Sequence, residues 1–157
     1  MDETTYIALA EERLPSLFRL ACSLTGSRAD AEDAVQQALL KAWTYRDRAR
    51  AGAEKAWLAR ILINTCHDLT RKRGRTVPVA EVPDRPASSA DPGDRAALRD
   101  LIEGLPERWR LPFLLKYMEG MTEKEVAAAL HLPLSTVKHR LMKARNTLQT
   151  AWNGEVE

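Results

Sequence analysis

The stretch "STVKHRLMKAR", residues 135–145, concentrates positive charge with no acidic residue among its bases. Surface helices ordinarily mix the two signs, so that neighbours at i and i+4 can pair. Its apolar residues recur at helical spacing and predict a buried stripe of Val137, Leu141, Ala144 and Leu148. The residues then expected to point outward are Ser135, Thr136, Lys138, His139, Met142 and Lys143. A basic face of this kind either meets a negatively charged partner or is a solvated surface.

The residues just before this stretch predict a shorter helix and a turn. Thr122 and Glu125 have the spacing of a capping box, "HLPL" is expected to form the turn, and Ser135 is expected to cap the second helix. The residues expected to face inward on the shorter helix are Val126, Ala127 and Leu130. This pattern predicts a helix-turn-helix whose second helix enters the DNA major groove, where phosphates and guanine edges supply the missing anions. A purely structural helical hairpin is the alternative.

A second basic cluster, "RKRGR" at residues 71–75, follows another predicted helix, and the segment 44–55 upstream of that helix is basic as well. Tyr45 lies within this upstream segment, and Trp43 and Trp57 flank it. Aromatic rings beside positive charge suit single-stranded nucleic acid, because bases stack on the rings while the backbone meets the cations. Core packing is the preferred interpretation of both tryptophans, and a solvated surface is the alternative for the cations.

Charge alternates along the 157 residues although the net charge is only +2. Residues 1–40 carry three basic and seven acidic side chains, and residues 41–76 carry ten basic and three acidic. Residues 77–103 carry three basic and six acidic side chains, whereas residues 135–157 carry four and two. Such alternation indicates separate surfaces for separate partners. A content of 45% apolar and 29% charged residues is typical of a folded globular chain.

Cys22 and Cys66 both lie in apolar helical stretches and are expected to be buried small hydrophobic residues. A redox pair or a metal site is the alternative, but the chain has no Cys-x-x-Cys or His-x-x-x-His spacing, so neither a metal nor another cofactor is expected. No run of about 18 apolar residues predicts a membrane span. The acidic start "MDETTY" differs from a signal peptide, and a cytoplasmic protein is therefore expected.

A segment rich in proline and serine, residues 77–94, is expected to be a flexible linker, because its composition cannot bury enough apolar surface to order itself. It separates residues 1–76 from residues 95–157, and each part reads as a small helical domain. No segment shows the period of two that marks a strand. The predicted fold class is therefore all-α, with two small helical domains.

Three helices are predicted before the linker. The first, "PSLFRLACSLTG", ends at Gly26, and the second, "DAEDAVQQALLKAW", is expected to be capped by Asp30. The third is "AWLARILINTCHDL", with an apolar stripe of Trp57, Leu58, Ile61, Leu62, Thr65 and Leu69. After the linker, helices are expected over residues 95–103 and 106–119. Pro112 removes a backbone donor and is expected to kink or delay the second of these.

Three segments, in order, resemble bacterial sigma factors of the extracytoplasmic-function (ECF) type, within the sigma-70 family. They are "LFRLACSLTGSRADAEDAVQQALLKAW", "AWLARILINTCHDLTRKRGR" and the run from "LPERWR" to "LMKAR". The match covers nearly the whole chain. It implies a promoter-specificity subunit that binds core RNA polymerase, directs it to −10 and −35 promoter elements and assists strand opening. Residues 1–76 would then be region 2-like, residues 77–94 the linker and residues 95–157 a region 4-like helix-turn-helix domain.

The resemblance also implies roles for individual residues. The helix containing "DAVQQ" is similar to the one that docks on the clamp helices of the polymerase β′ subunit, with contacts at Asp33, Gln36 and Gln37. The family usually has a glutamate where Gln37 stands. The helix containing Asn64 and Asp68 is similar to the one that reads the −10 element. The −10 contacts implied are Arg46, Arg48, Arg50, Asn64, Asp68, Arg71, Lys72, Arg73 and Arg75.

The loop at residues 45–55 would complete a pocket for an extruded base, by the same resemblance. Family members commonly have a phenylalanine in this loop, and this chain has arginines instead. The −35 contacts implied are Ser135, Thr136, Lys138, His139, Arg140, Met142, Lys143 and Arg145. The family often has glycine and serine where Ser135 and His139 stand.

The partners implied by the resemblance are core RNA polymerase (the β′ clamp helices and the β flap), promoter DNA and an anti-sigma factor. Two other interpretations are a dimeric helix-turn-helix regulator acting on a palindromic site and an enzyme. The chain has no glycine-rich phosphate loop, nucleophile elbow or HExxH motif, so no catalytic activity is expected.

Overall fold

The computed structural model describes residues 1–74 and 92–156, and the chain divides into two compact units whose boundary falls between these ranges. Every element of secondary structure in the two described ranges is helical, which confirms the predicted all-α fold class. Residues 77–91 of the predicted linker lie outside the described residues, as does Arg75.

The first unit contains three helices that pack against one another. They are α1 (Glu3–Thr25), α2 (Arg28–Thr44) and α3 (Glu54–Lys72), and a 3-10 turn at Arg46–Arg48 follows α2. The core is aliphatic, and its fully or almost fully buried side chains include Leu17, Leu20, Leu24, Leu58 and Leu62. Burial of each such side chain contributes about 1.5–3 kcal/mol, which is what holds three short helices together.

Helix α1 is longer than its pattern predicts. It begins at Glu3, where the Asp2 carboxylate caps it by accepting from the Thr5 N–H at 2.7 Å, and it continues through Pro15. Tyr6 is buried, and its hydroxyl donates to the Leu39 carbonyl of α2 at 2.5 Å. This contact fixes an extra stretch of helix against α2. The helix ends at Gly26 as predicted, with φ at 69°.

Helix α2 begins at Arg28, two residues before the predicted cap. The Ser27 side chain is the cap, since its hydroxyl accepts from the Asp30 N–H at 3.3 Å. The prediction that Asp30 caps this helix is therefore wrong. Asp30 lies in the first turn and is buried, and its carboxylate is engaged by a side chain from the end of α3.

The second unit contains four α-helices and one π-helical segment in its described residues. They are α4 (Pro92–Glu103), α5 (Glu107–Phe113), the π segment (Leu114–Met118), α6 (Glu123–Leu130) and α7 (Leu134–Val156), and α7 packs against α4, α5 and α6. Helix α4 begins three residues before its predicted start at residue 95, because proline suits the first helical position.

Pro112 does not delay its helix, which begins at Glu107 and passes through the proline. The backbone hydrogen bonds change from α-helical to π-helical spacing immediately afterwards. The Glu119 N–H donates to the Leu114 carbonyl, five residues back, at 3.0 Å. A helix that has lost one backbone donor at proline is a place where such widening is tolerated. The π segment places the Tyr117 ring against Phe113, with ring centroids 4.7 Å apart.

Helices α6 and α7 form the predicted helix-turn-helix. The capping box is present: the Thr122 hydroxyl accepts from the Glu125 N–H at 3.1 Å, and the Glu125 carboxylate accepts from the Thr122 N–H at 2.9 Å. The prediction that Ser135 caps α7 is wrong, because the Pro133 carbonyl already accepts from the Val137 N–H at 3.1 Å. Ser135 therefore lies in the first turn.

The inward face of α6 is also rotated slightly from the prediction. Val126 and Ala129 are buried, whereas Ala127 and Leu130 are only half-buried.

Candidate nucleic-acid and protein interfaces

The predicted stripe of α7 is buried as expected, with Val137, Leu141 and Ala144 at 0% exposure. The opposite side of the helix is exposed at Ser135, Lys138, His139, Met142, Lys143 and Arg145. Thr136 and Arg140 are half-buried on one flank, so the expectation that Thr136 points fully outward is only partly met. Asn146 also lies on the exposed side of α7, and the sequence prediction did not include it. It is exposed and follows His139 and Lys143 at helical spacing, and continuing the period by one turn would have found it.

The other flank of α7 faces an acid that comes from α6. The Glu123 carboxylate accepts from the Lys116 ammonium at 3.0 Å, and this bond lowers the pKa of Glu123 below its ordinary value of 4.5. The charges of Lys138 and Arg145 lower this pKa further. The Arg145 guanidinium also donates to the Tyr117 hydroxyl at 3.0 Å. The positive charge of Lys138 and Arg145 is thus partly balanced along this flank, and Lys143 remains exposed on the helix.

Helix α3 presents Asn64 and Asp68 to solvent on one face. Trp57 and Ile61 share this face and are half-buried, so placing them in the buried stripe was wrong. The predicted residues that are buried are Leu58, Leu62, Thr65 and Leu69. Asp68 is paired with Arg71 at 2.9 Å, an exposed pair within one turn of helix.

Two guanidinium groups stack on aromatic rings at the end of α2. The Arg46 guanidinium lies 3.8 Å from the centroid of Trp43, and Arg48 lies 4.4 Å from that of Tyr45. Trp43 is half-buried with its ring edge-to-face against Tyr6, which agrees with a packing role. Tyr45 is 45% exposed, so its ring is the more accessible of the two. Arg50 is exposed in the same loop.

The residues predicted to contact polymerase lie together on α2. Gln36 is exposed, and Gln37 donates to the Asp33 carboxylate at 3.1 Å. Leu40 follows them one turn later and is 69% exposed, an apolar residue that the sequence prediction did not single out. Spacings of three and four residues put these side chains on one helical face.

The basic residues at the end of α3 differ in the contacts that they make. Arg71, Lys72 and Arg73 are all exposed, but the Arg73 side chain is only 36% exposed, because it reaches back to the first turn of α2. One of its nitrogens bonds the buried Asp30 carboxylate, and the other bonds Asp33 at 2.9 Å. The structure therefore brings a predicted DNA contact and a predicted polymerase contact together in one ion-pair network.

Cys22 and Cys66 are fully buried, in agreement with the sequence. Among the residues that the structure describes, no three side chains of the types that bind metal ions lie together. No helix in the described ranges has the length and apolar character needed to cross a membrane.

Two family models match this chain. One, described as Sigma-70 region 2, matches residues 9–76, and the other, described as Sigma-70, region 4, matches residues 95–148. The RNA polymerase sigma-E factor of Streptomyces coelicolor is 34% identical over 84% of this chain and 77% of its own length. The ECF RNA polymerase sigma factor SigE of Mycolicibacterium smegmatis is 30% identical over 90% of this chain, and the match spans 59% of that protein.

The chain is also similar to a solved structure. The sigma factor RpoE of Bartonella quintana, crystallised with the anti-sigma factor NepR, superposes with a TM-score of 0.80 at 29% identity. The superposition covers 95% of this chain and 97% of that one.

Proposed function

Since this chain belongs to the extracytoplasmic-function family of RNA polymerase sigma factors, we propose that α7 reads the −35 element and that α2 and α3 carry the polymerase and −10 contacts. Sigma factors are the promoter-recognition subunits of RNA polymerase and not enzymes. Membership in this family therefore confirms the expectation that the chain has no catalytic activity.

The observation that carries the −35 assignment is the exposed side of α7. Residues 134–154 contain no acid, and the buried stripe turns Ser135, His139 and Lys143 toward solvent at the start of the second helix of the motif. This end of such a helix enters the major groove, where lysine and arginine bond guanine O6 and N7. Thr136 and Arg140 are half-buried on the flank and, by this proposal, would contact phosphates at the groove edge.

The −10 assignment draws on different chemistry. Asn64 and Asp68 are exposed polar groups that can hydrogen-bond the edge of an unpaired base, and Tyr45 with Arg48 offers a stacking surface in the loop before α3. The cations that would meet the backbone, by the same proposal, are exposed Arg50, Arg71 and Lys72 and half-buried Arg46. This combination suits a separated strand better than a duplex, because stacked bases within a duplex hide their faces.

Energetics explain why these surfaces act together with polymerase. DNA stacking is worth about 1.4 kcal/mol per base step, so a bubble of about ten steps costs on the order of 14 kcal/mol. A base stacked on an aromatic side chain returns only about 1–3 kcal/mol. Two small domains cannot supply the difference, and core polymerase must contribute its own contacts. We therefore infer that the clamp helices of β′ hold the α2 face and that the β flap holds the second unit.

Two further features complete the proposal, a regulatory partner and a location. The solved relative from Bartonella quintana is bound to an anti-sigma factor, and an anti-sigma factor of some class is proposed for this chain as well. The chain would act in the cytoplasm, where polymerase and chromosome are found.

Run-off transcription with core polymerase across a library of −35 and −10 sequences tests the proposal. Addition of the chain should produce transcripts that depend on both elements. Lys143→Ala should lower transcription from the preferred −35 sequence about five- to 150-fold, since a base contact contributes about 1–3 kcal/mol. Gln149→Ala, an exposed change further along α7, is the matched control and should have little effect. Transcript levels equal to those of core polymerase alone would refute the assignment.

A further inference from the structure

Arg73 joins two surfaces that sequence reasoning keeps apart. Its guanidinium bonds Asp30 through one nitrogen and the Asp33 Oδ2 atom through the other, at 2.9 Å, across separations of 43 and 40 residues. The second oxygen of Asp33 accepts from the Gln37 amide at 3.1 Å. Both oxygens of Asp33 are thus held, one from the end of α3 and one by the next turn of α2.

The two carboxylates differ in their surroundings. The Asp30 side chain is 8% exposed, so its charge must be paired within the protein. The Asp33 side chain is 39% exposed, so it remains open to a partner on its outer side. A planar guanidinium can bond two carboxylates at once in fixed directions, which an ammonium cannot do. The buried acid therefore anchors Arg73, and Arg73 in turn orients the exposed one.

We propose that Arg73 is a positioning residue for the polymerase-docking face of α2, acting through Asp33, and that it is not a contact to promoter phosphates. The inference depends on the proposed polymerase contact at Asp33. It assigns the phosphate contacts at the end of α3 to Arg71 and Lys72, because the Arg71 side chain is 76% exposed, whereas that of Arg73 is 36% exposed and is bonded to two carboxylates. The oriented carboxylate is presented to polymerase in one rotamer, which removes an ordering cost from binding.

A double-mutant cycle on affinity for core polymerase tests the positioning role. Arg73→Lys keeps a cation for Asp30 but removes the second guanidinium nitrogen, which bonds Asp33. Asp33→Ala removes the carboxylate that Arg73 orients. Arg73→Lys should weaken core binding roughly fivefold when Asp33 is present, a coupling typical of residues in contact. The same change should have no effect in the Asp33→Ala background. Arg28→Lys is the matched control and should have little effect, because Arg28 pairs with Glu32 on the exposed surface of α2, the helix that carries Asp33.

The DNA part of the inference is tested by the salt dependence of promoter binding by the assembled holoenzyme. Arg71→Gln should reduce the slope of log affinity against log salt by about 0.7–0.9. The paired variant Asp30→Asn with Arg73→Gln removes both charges of the buried pair, and it should leave the slope unchanged. Thermal unfolding of each variant checks that the chain remains folded.

The outcomes separate this inference from the proposed function. If Arg73→Lys weakens core binding equally in the unaltered and the Asp33→Ala backgrounds, or leaves it unchanged, the positioning role is refuted. A slope that falls in the paired variant as it does in Arg71→Gln would make Arg73 a phosphate contact and refute the second part. Failure of the unaltered chain to bind core polymerase would instead refute the proposed function.

Discussion

The turn of the helix-turn-helix contains a residue in an unfavourable backbone conformation. His131 ends α6 with φ at 55° and ψ at 45°, and it is the one residue other than glycine with positive φ in the described ranges. The N–H groups of His131 and Leu132 both donate to the Ala127 carbonyl, which closes the end of the helix. Glycine adopts this conformation readily, so His131→Gly should stabilise the second unit.

The expected gain follows from two opposing terms. An L-residue in the left-handed region costs about 1–2 kcal/mol, which glycine avoids. Glycine also loses more freedom on folding, at a cost of about 0.5–1 kcal/mol. The difference is a net stabilisation of up to about 1.5 kcal/mol and about 0.75 kcal/mol at the midpoints, and the midpoint value corresponds to an increase in Tm of about 3–6 °C for a domain of this size. The imidazole is exposed, so little packing is lost.

Two further variants separate the backbone effect from loss of the side chain. His131→Ala removes the imidazole and keeps the strain, so it should change stability by less than about 0.5 kcal/mol. Gly120→Ala makes the opposite change at φ 70°, where an added Cβ meets no atom within 4 Å, and should cost about 1 kcal/mol.

Because the chain has two units, amide hydrogen exchange of α6 and α7 in the full chain is a better measure than a single unfolding curve. If the amides of α6 and α7 exchange no more slowly in His131→Gly than in His131→Ala, backbone strain at this turn is not what limits the stability of the second unit.

Three other predictions follow from the structure and the sequence. Tyr117→Phe removes the hydroxyl that holds Arg145, and it should lower −35 affinity about two- to fivefold in binding assays, with no further loss when combined with Arg145→Ala. The depressed pKa of Glu123 contributes stability above its unfolded value of 4.5 that is lost as pH falls through its lower folded value. An NMR titration should show that folded pKa rising in Lys116→Met, and an unchanged value would exclude the ion pair as its cause. Shortening the predicted linker within 77–94 should shift the spacing preferred between promoter elements, and unchanged spacing in the promoter library would refute its role as a tether.

The helices themselves could largely be predicted from the sequence, because their signals are local. The apolar period of α7 identifies all four of its buried stripe residues, and the capping box at Thr122 and Glu125 forms as its spacing indicates. The errors occur at helix ends and on helix faces with mixed composition. Ser27 and Asp30 are both good caps, and only the fold decides between them, because the acid is required by a partner elsewhere.

The start of α1 could not be predicted, because what stabilises it is distant in sequence. In the segment before Pro15, Ile7 and Leu14 are each 45% exposed, whereas Tyr6 is buried and its hydroxyl donates to a carbonyl 33 residues away. A period count detects a helix that buries a stripe, and it does not detect one held by a single buried aromatic side chain.

Contacts between residues distant in sequence also limit what can be predicted about the candidate interfaces. A basic cluster in sequence predicts a positive surface only when its charges are not paired within the fold. In the cluster at residues 71–73, Arg71 lies against the exposed Asp68, where competition with solvent leaves the guanidinium available, whereas Arg73 is held by a buried carboxylate that cannot be left unpaired. The separations involved are 3 and 43 residues, and only the shorter one is visible as a helical spacing. A sequence can therefore rank the charges at the end of α3 as equal contacts to DNA, but burial of one acid on another helix makes them unequal.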